Sequence, residues 1–434
     1  MPLDIVTLNV AVLGAPVPST LQQTAILVTE GATNLAVGAM ALLTQANDLT
    51  PILSGQVAIT GLAWASGAVT VTQASGPVPT VGERVTISGA LPVAYNGAVT
   101  VVSVTGETWT YALAANPGAE TAFGHWQRGN VPELQAMVDE WFAQGGNASV
   151  YVFEAGAGTT ATTVAELGTY LQENPNTLYS ATVPRGWPNE PTFPALVSQY
   201  ESDTALFYFY ITATQANYTN FTAQMKSARV FIEAPDTPVT EFGAAALMYR
   251  EISQVPSAVN RRMPAANAFL FDVTPYPKAG NIPLLTTLLA AKVNIATTAD
   301  EGGLSNVILK DGTGMDGTGF NFWFAVDWMQ IQSKRNLAAR VIQGANDPTN
   351  PLTFDQTGIN DLVANEQQTI NSAVTFGLIR PGATVTATTY ADYIQQSPDE
   401  AGEGIYNGLA VTFTPMGYFT AITLNLTAIQ IPTS

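Results

Sequence analysis

The chain opens on an alternating, β-branched run at residues 4–13 (DIVTLNVAVL), which predicts a strand. Gly14-Ala15-Pro16-Val17-Pro18-Ser19 separates it from the next element, so that strand stands apart like an arm. Residues 25–29 (AILVT) are short and apolar throughout, the pattern of a buried strand. Between 56 and 128 the texture changes. Strand-like runs at 69–73, 84–88, 98–104 and 108–113 alternate with Gly, Pro and Asn turns, and no helical period occurs. This predicts a small, β-sandwich-like all-β module inserted into a different domain, because the pattern on both sides is α/β.

After the insert, Asn130-Val131-Pro132-Glu133 reads as a helix start, with Leu134, Met137, Val138, Trp141 and Phe142 on one apolar face and Gly145-Gly146 as its end. Strands at 149–153, 178–183, 205–211 and 229–233 then alternate with helices at 164–173, 193–200 and 241–252. Such alternation means βαβ units and a mostly parallel sheet. Residues 320–344 carry a helical stripe of Phe322, Val326, Met329, Leu337 and Val341. Asp355 opens another helix, with Ile359, Leu362, Val363, Ile370 and Val374 inward. The end is β again, at 385–389, 409–414 and the long alternating run 418–431. A long terminal strand is an edge hazard in a monomer and is sensible where a neighbouring subunit pairs with it.

The expected fold class is therefore α/β (α+β overall) and multi-domain. Residues 1–20 form an N-terminal β arm, 21–55 with 129–305 an α/β core, 56–128 the inserted module, and 306–434 a C-terminal α+β domain with a terminal arm.

Charge narrows the function. Only 11% of the 434 residues are charged, against about 25% in an average soluble domain. With 33 acidic and 15 basic residues the net charge is -18, so a basic footprint for nucleic acid or anionic lipid is absent. There is no cysteine, which excludes disulfides, thiolate metal sites and cysteine nucleophiles. His125 is the single histidine, so two-histidine metal sites are excluded and any Ser-His-Asp scheme must run through it. No 18-residue apolar run predicts a membrane span, and MPLDIVTLNV lacks the basic start of a signal peptide. The Ala/Thr/Gly-rich, weakly charged texture fits either packing against copies of itself or a polar, uncharged surface.

Candidate chemistry is sparse. Gly312-Thr313-Gly314-Met315-Asp316-Gly317 matches GxGxxG, but the aromatic run from Phe320 to Phe324 is a poor start for a phosphate-binding helix, and DGTG recurs at 316–319. It reads as a pair of tight turns. Asp399, Glu400 and Glu403 form the densest acidic cluster and read as a solvated loop. His125, beside Trp126, reads as a packed or surface residue, and GxSxG, Walker A and CxxC patterns are missing. No catalytic residue, metal or cofactor is expected. Lys334, Arg335 and Arg340 gather on one predicted helix as either an ordinary solvated face or a docking stripe for an acidic partner; Asn260-Arg261-Arg262 is a second basic spot.

Several segments together resemble one family. They are the strand DIVTLNVAV with its Pro-rich link, VPELQAMVDEWFAQGGNASVYVF at 131–153, LLAAKVNI at 288–295, FAVDWMQ at 324–330, Thr357-Gly358-Ile359 opening a long helix, and the terminal strands. The chain resembles sheath proteins of contractile phage tails, related to R-type pyocin and type VI secretion sheaths. The insert, with VGERVTISG at 81–89 and Tyr95-Asn96-Gly97, is similar to β-modules that decorate phage tail proteins.

The resemblance implies a structural subunit, not an enzyme, that polymerises helically around a tail tube and contracts. Its C-terminal domain becomes an inner domain and its insert an outer one. It implies partners in further copies of the chain, the tube protein, and baseplate and tail terminator proteins, with no nucleic acid and no membrane insertion. Localisation is then the tail sheath, assembled in the host cytoplasm. The arms add strands to neighbours' sheets, through Ile5, Thr7, Asn9 and Ala11 at one end and Tyr418, Thr420, Ile422, Leu424, Leu426 and Ala428 at the other. Lys334, Arg335 and Arg340 are the tube-facing candidates. Two other classes stay open: a carboxylate-dependent polysaccharide hydrolase, which needs Asp/Glu pairs flanked by exposed Trp or Tyr, and a surface-array or adhesive protein.

Overall fold

In the computed structural model, which describes residues 20–145, 148–221, 225–259, 263–277, 280–298 and 305–419, the apolar run after the linker is β1 (Ala25–Thr29), buried at every position. It pairs in parallel with a neighbour on each side, and because it is covered on both faces as well it needs no polar alternation. β2 (Met40–Leu43) comes next, at the sheet's edge.

The chain then leaves the sheet for β3 (Val57–Ala65), β4 (Ala68–Gln73), β5 (Arg84–Ser88), β6 (Gly97–Thr105), β7 (Thr108–Ala112) and β8 (His125–Arg128). These close into a barrel in the order β3-β4-β7-β6-β5-β8, where the sequence suggested a sandwich. The difference lies in β3 and β8, which the sequence pattern did not mark as strands. They pair at Val57↔Trp126 and Ala58↔His125, and that pairing removes the open edges a sandwich would keep. Alternate side chains point inward, and Trp109, Trp126, Tyr111 and Tyr95 fill the interior.

From the barrel the chain returns as α1 (Val131–Ala143), β9 (Val150–Glu154), α2 (Thr160–Glu173), β10 (Ser180–Thr182), α3 (Thr192–Ser198), β11 (Tyr208–Ala213), β12 (Ala228–Ile232) and α4 (Gly243–Ile252). The sheet order is β12-β11-β10-β1-β9-β2, parallel except for β2. Ile26, Val28, Phe153, Phe209 and Val230 face Leu167 and Leu171 of α2 and Phe193 and Leu196 of α3 in one core. The opposite face carries α4, held by Tyr210 and Thr182, and α1 meets α4 where Trp141 stacks edge-on against Tyr249 at 5.1 Å. Helices on both faces of a parallel sheet are the α/β arrangement the alternation predicted.

Barrel and sheet are joined at a close approach. A Cβ on Gly129, at φ +69, would lie 2.2 Å from the Ala32 nitrogen, so only glycine fits there. Beside it Arg84 pairs with the buried Glu30 at 2.7 Å, and Glu30 also accepts from the Trp187 indole.

After α5 (Ile282–Ala290), β13 (Ile295–Thr298) and β14 (Val307–Lys310) form a hairpin attached to β12 through the Phe231–Asn294 bridge. α6 (Phe320–Asn346), α7 (Gln356–Thr375), β15 (Thr384–Ala387), α8 (Tyr390–Gln396), α9 (Pro398–Gly402) and β16 (Leu409–Thr412) complete the described chain. The chain divides into two compact units. One contains 325–416, and the other contains 21–255 and 263–324, so the division falls inside α6 rather than at 306. The β13–β14 hairpin stays with the sheet because its hydrogen bonds run to β12.

The long helix differs from its expected stripe. Of that stripe Met329 is buried, Val326 and Leu337 are half-buried, and Phe322 and Val341 are exposed, while Phe324, Ala325 and Trp328 are buried as well. The buried face is shifted from the expected one, and it also carries Asp327, Gln332 and Arg340. The acidic segment expected as a loop is partly helical, as α9.

Candidate assembly surfaces

The N-terminal arm lies outside the described residues, and the C-terminal arm does so beyond Phe419. Ile5, Thr7, Asn9, Ala11, Thr420, Ile422, Leu424, Leu426 and Ala428 are therefore outside them, as are Asn260, Arg261 and Arg262. Tyr418 is half-buried, and Phe419 is 84% exposed.

The surface such arms would need is described. β15 and β16 pair antiparallel at Thr384↔Thr412 through Ala387↔Leu409 as a sheet of two strands. No other described strand pairs with either, and no residue of either strand is fully buried. An isolated two-stranded sheet is marginal in water. This one is supported by α7 packing against β15 and by rings of Phe354, Tyr390, Tyr393 and Tyr406 stacked edge to face nearby. Its outer edges present backbone N–H and C=O groups to further strands.

The basic stripe comes apart in the structure. Lys334 is exposed and Arg335 half-buried. Arg340 is 8% exposed, and its Nε donates to Asp361 of α7 at 2.7 Å while its other nitrogens reach Asn350. A guanidinium held by a carboxylate of its own unit is an internal tie, so Arg340 is not a docking residue. The sequence hid this because Asp361 lies on the next helix.

The remaining motifs make local contacts of their own. In the GxGxxG segment, Gly314 N–H donates to Thr318 O and Gly317 N–H to Gly314 O, while Thr313 N–H donates to the Asn294 side chain at 2.9 Å. These amides hold a tight turn and leave no phosphate cradle. His125 Nε2 lies 3.2 Å from Ser88 Oγ across the β5–β8 pair, and no described carboxylate orients the ring as a triad requires. Glu400 accepts from Tyr393 and Asn407, leaving Asp399 and Glu403 exposed. Among the described residues, no three His, Cys, Asp or Glu side chains are placed to hold a metal.

Sequence reasoning missed one titratable cluster. A cavity of about 540 Å³ is lined by Asp139, Glu140, Glu241, Asp272 and Thr274, with no Trp or Tyr in its wall for a sugar to stack on. Burial, reinforced by Asp272 and Glu241, pushes Glu140 from 4.5 up to about 8, against hydrogen bonds from Phe242 and Gln144. Its folded pKa exceeds its unfolded one, so the protonated form is favoured by folding. That stability is fully present below pH 4.5 and is lost as pH rises toward about 8. Thermal melts of Glu140→Gln are therefore expected to fall less than wild type between pH 6 and pH 9. Parallel curves would show that Glu140 ionises freely in the fold.

No protein-family model matches the chain, and no curated protein matches it in sequence. Solved structures match over its whole length. A chain of the anti-feeding prophage (AFP) baseplate, 6-fold symmetrised, is 12% identical with a TM-score of 0.54, covering 98% of this chain and 99% of that one. A chain of the AFP helical sheath in its contracted state is 10% identical with a TM-score of 0.50, covering 98% of this chain and 100% of that one. At these identities the likeness is one of fold. It agrees with the resemblance to contractile tail sheath proteins carried by the sequence.

Proposed function

We propose that the chain is a structural subunit of a contractile tail sheath. It polymerises helically around a tail tube and contracts to drive the tube through the host envelope. The observation that carries this is the β15–β16 sheet, whose two strands leave both outer edges without a described strand partner. The same sequence holds two alternating runs able to fill such edges, at 4–13 and 418–431. Strand addition satisfies backbone groups on both sides and links subunits without a cofactor. Full-length likeness in fold to a helical sheath chain supports the same reading. Contraction is then a change between two packings of subunits whose arms act as hinges. The partners are further copies, the tube protein, and baseplate and terminator proteins, and the place of action is the tail.

Electron microscopy of the purified protein, alone and with its tube protein, tests the reading. Hollow, striated cylinders are expected; a monomer that ignores the tube overturns it. In this arrangement Lys334 and Arg335 face the tube. Lys334→Glu with Arg335→Glu is expected to weaken assembly on tubes at least tenfold and to spare association between subunits. Unchanged loading of the tube would remove these residues from that surface.

A further inference from the structure

Arg250, on the last turn of α4, lies against two rings, its guanidinium carbon 5.8 Å from the centre of Tyr249 and 5.2 Å from that of Phe271. Its Nε and Nη2 are buried without an acceptor among the described residues. Burial holds its pKa below the usual arginine value, and no described carboxylate forms an ion pair with it. The side chain borders a groove of about 470 Å³ whose apolar wall includes Met263, Pro264, Phe269, Phe271 and Phe419. Met263 is 61% exposed, Phe269 40% and Phe271 44%. The wall is fixed in place, since Gln254 accepts from Met263 N–H at 2.9 Å and donates to Met263 O at 3.0 Å. An apolar groove beside a half-buried cation with no acceptor among the described residues is poorly matched to water on both counts.

The opposite chemistry sits at the corner of α8 and α9. Ile394 and Ile405 are exposed there, 39% and 44%. Asp399 and Glu403 stand beside them in sequence, exposed and without an ion pair to any described residue, while Glu400 is taken up by Tyr393 and Asn407. An apolar knob carrying exposed carboxylates supplies what the groove lacks.

We propose that this groove receives the α8–α9 corner of a second copy of the chain, with Asp399 or Glu403 against Arg250 and Ile405 among Phe269, Phe271 and Met263. Charge favours a copy as occupant, because 33 acidic residues against 15 basic ones leave carboxylates to spare and cations scarce. Knob and groove are different surfaces of one chain, so the contact is head-to-tail. Such contacts close into rings or propagate as helices. The inference rests on the reading that copies assemble, and it adds a contact separate from strand exchange.

The absence of cysteine makes the test clean. Met263→Cys and Ile405→Cys each place one thiol on an exposed position of the full chain. Oxidising the mixed variants is expected to give a disulfide dimer at least tenfold above either variant alone or Val37→Cys paired with Ile405→Cys. Asp399→Arg with Glu403→Arg on the Ile405→Cys chain should abolish it, and Arg250→Glu on the other chain should restore it. No excess of mixed dimer, or a yield indifferent to these charges, overturns the proposal. A disulfide dimer formed by a protein that makes no cylinders would overturn the sheath reading alone. Cylinders formed without the mixed dimer would overturn this contact alone.

Discussion

Removing residues 420–434 yields subunits that melt like the full chain and form no tubes. The cut leaves β16, Tyr418 and Phe419 in place, so both described units keep every contact named above. What is lost is the alternating run that includes Ile422, Leu424, Leu426 and Ala428. Each interstrand hydrogen bond contributes about 1 kcal/mol net, and a strand forms several. Because every subunit in a helical array both gives and receives a strand, that loss repeats along the whole polymer. The effect on assembly is all or none, while the effect on monomer stability is close to zero. Sedimentation and electron microscopy read the first, and thermal unfolding the second. Tubes from the truncated chain at wild-type concentrations would show that the C-terminal run does not link subunits. Removing 2–13 tests the other arm in the same way.

How far the sequence showed this depends on the kind of information each feature needs. β1 was legible because a strand buried on both faces leaves a continuous apolar run, and α7 because Asp355 caps it, accepting from Gly358 N–H at 2.9 Å. β2 and β8 were not, since each has four residues and too few alternations to stand out. Barrel closure depends on which strands meet, and β3 meets β8 across most of the insert. The phase of α6 was hidden because buried Asp327, Gln332 and Arg340 look like surface residues until their surroundings are known. The same blindness made Arg340 a docking candidate. Its partner Asp361 and the cluster around Glu140 are facts of tertiary packing with no local signal.

Replacing Arg229 by methionine is expected to cost about 3–5 kcal/mol in the unit that holds the sheet, the range for breaking a buried ion pair. Arg229 follows the first residue of β12 and is wholly buried, beneath α4 and the start of α6. Its Nε lies 4.0 Å from Glu251 Oε2, and that oxygen accepts from the Tyr210 hydroxyl at 2.7 Å. The guanidinium also lies 5.2 Å from the Tyr208 ring centre and 5.7 Å from that of Phe320. Two charges taken out of water at this distance gain little over an apolar pair of the same volume. Removing one of them takes away the opposite charge that offsets the other's desolvation. Arg229→Met is therefore far worse than Arg229→Met with Glu251→Leu, which should recover most of the loss. Urea unfolding followed by tryptophan fluorescence measures both effects. A single variant within about 1 kcal/mol of wild type would mean that Arg229 serves only as packing volume between α4, α6 and the sheet.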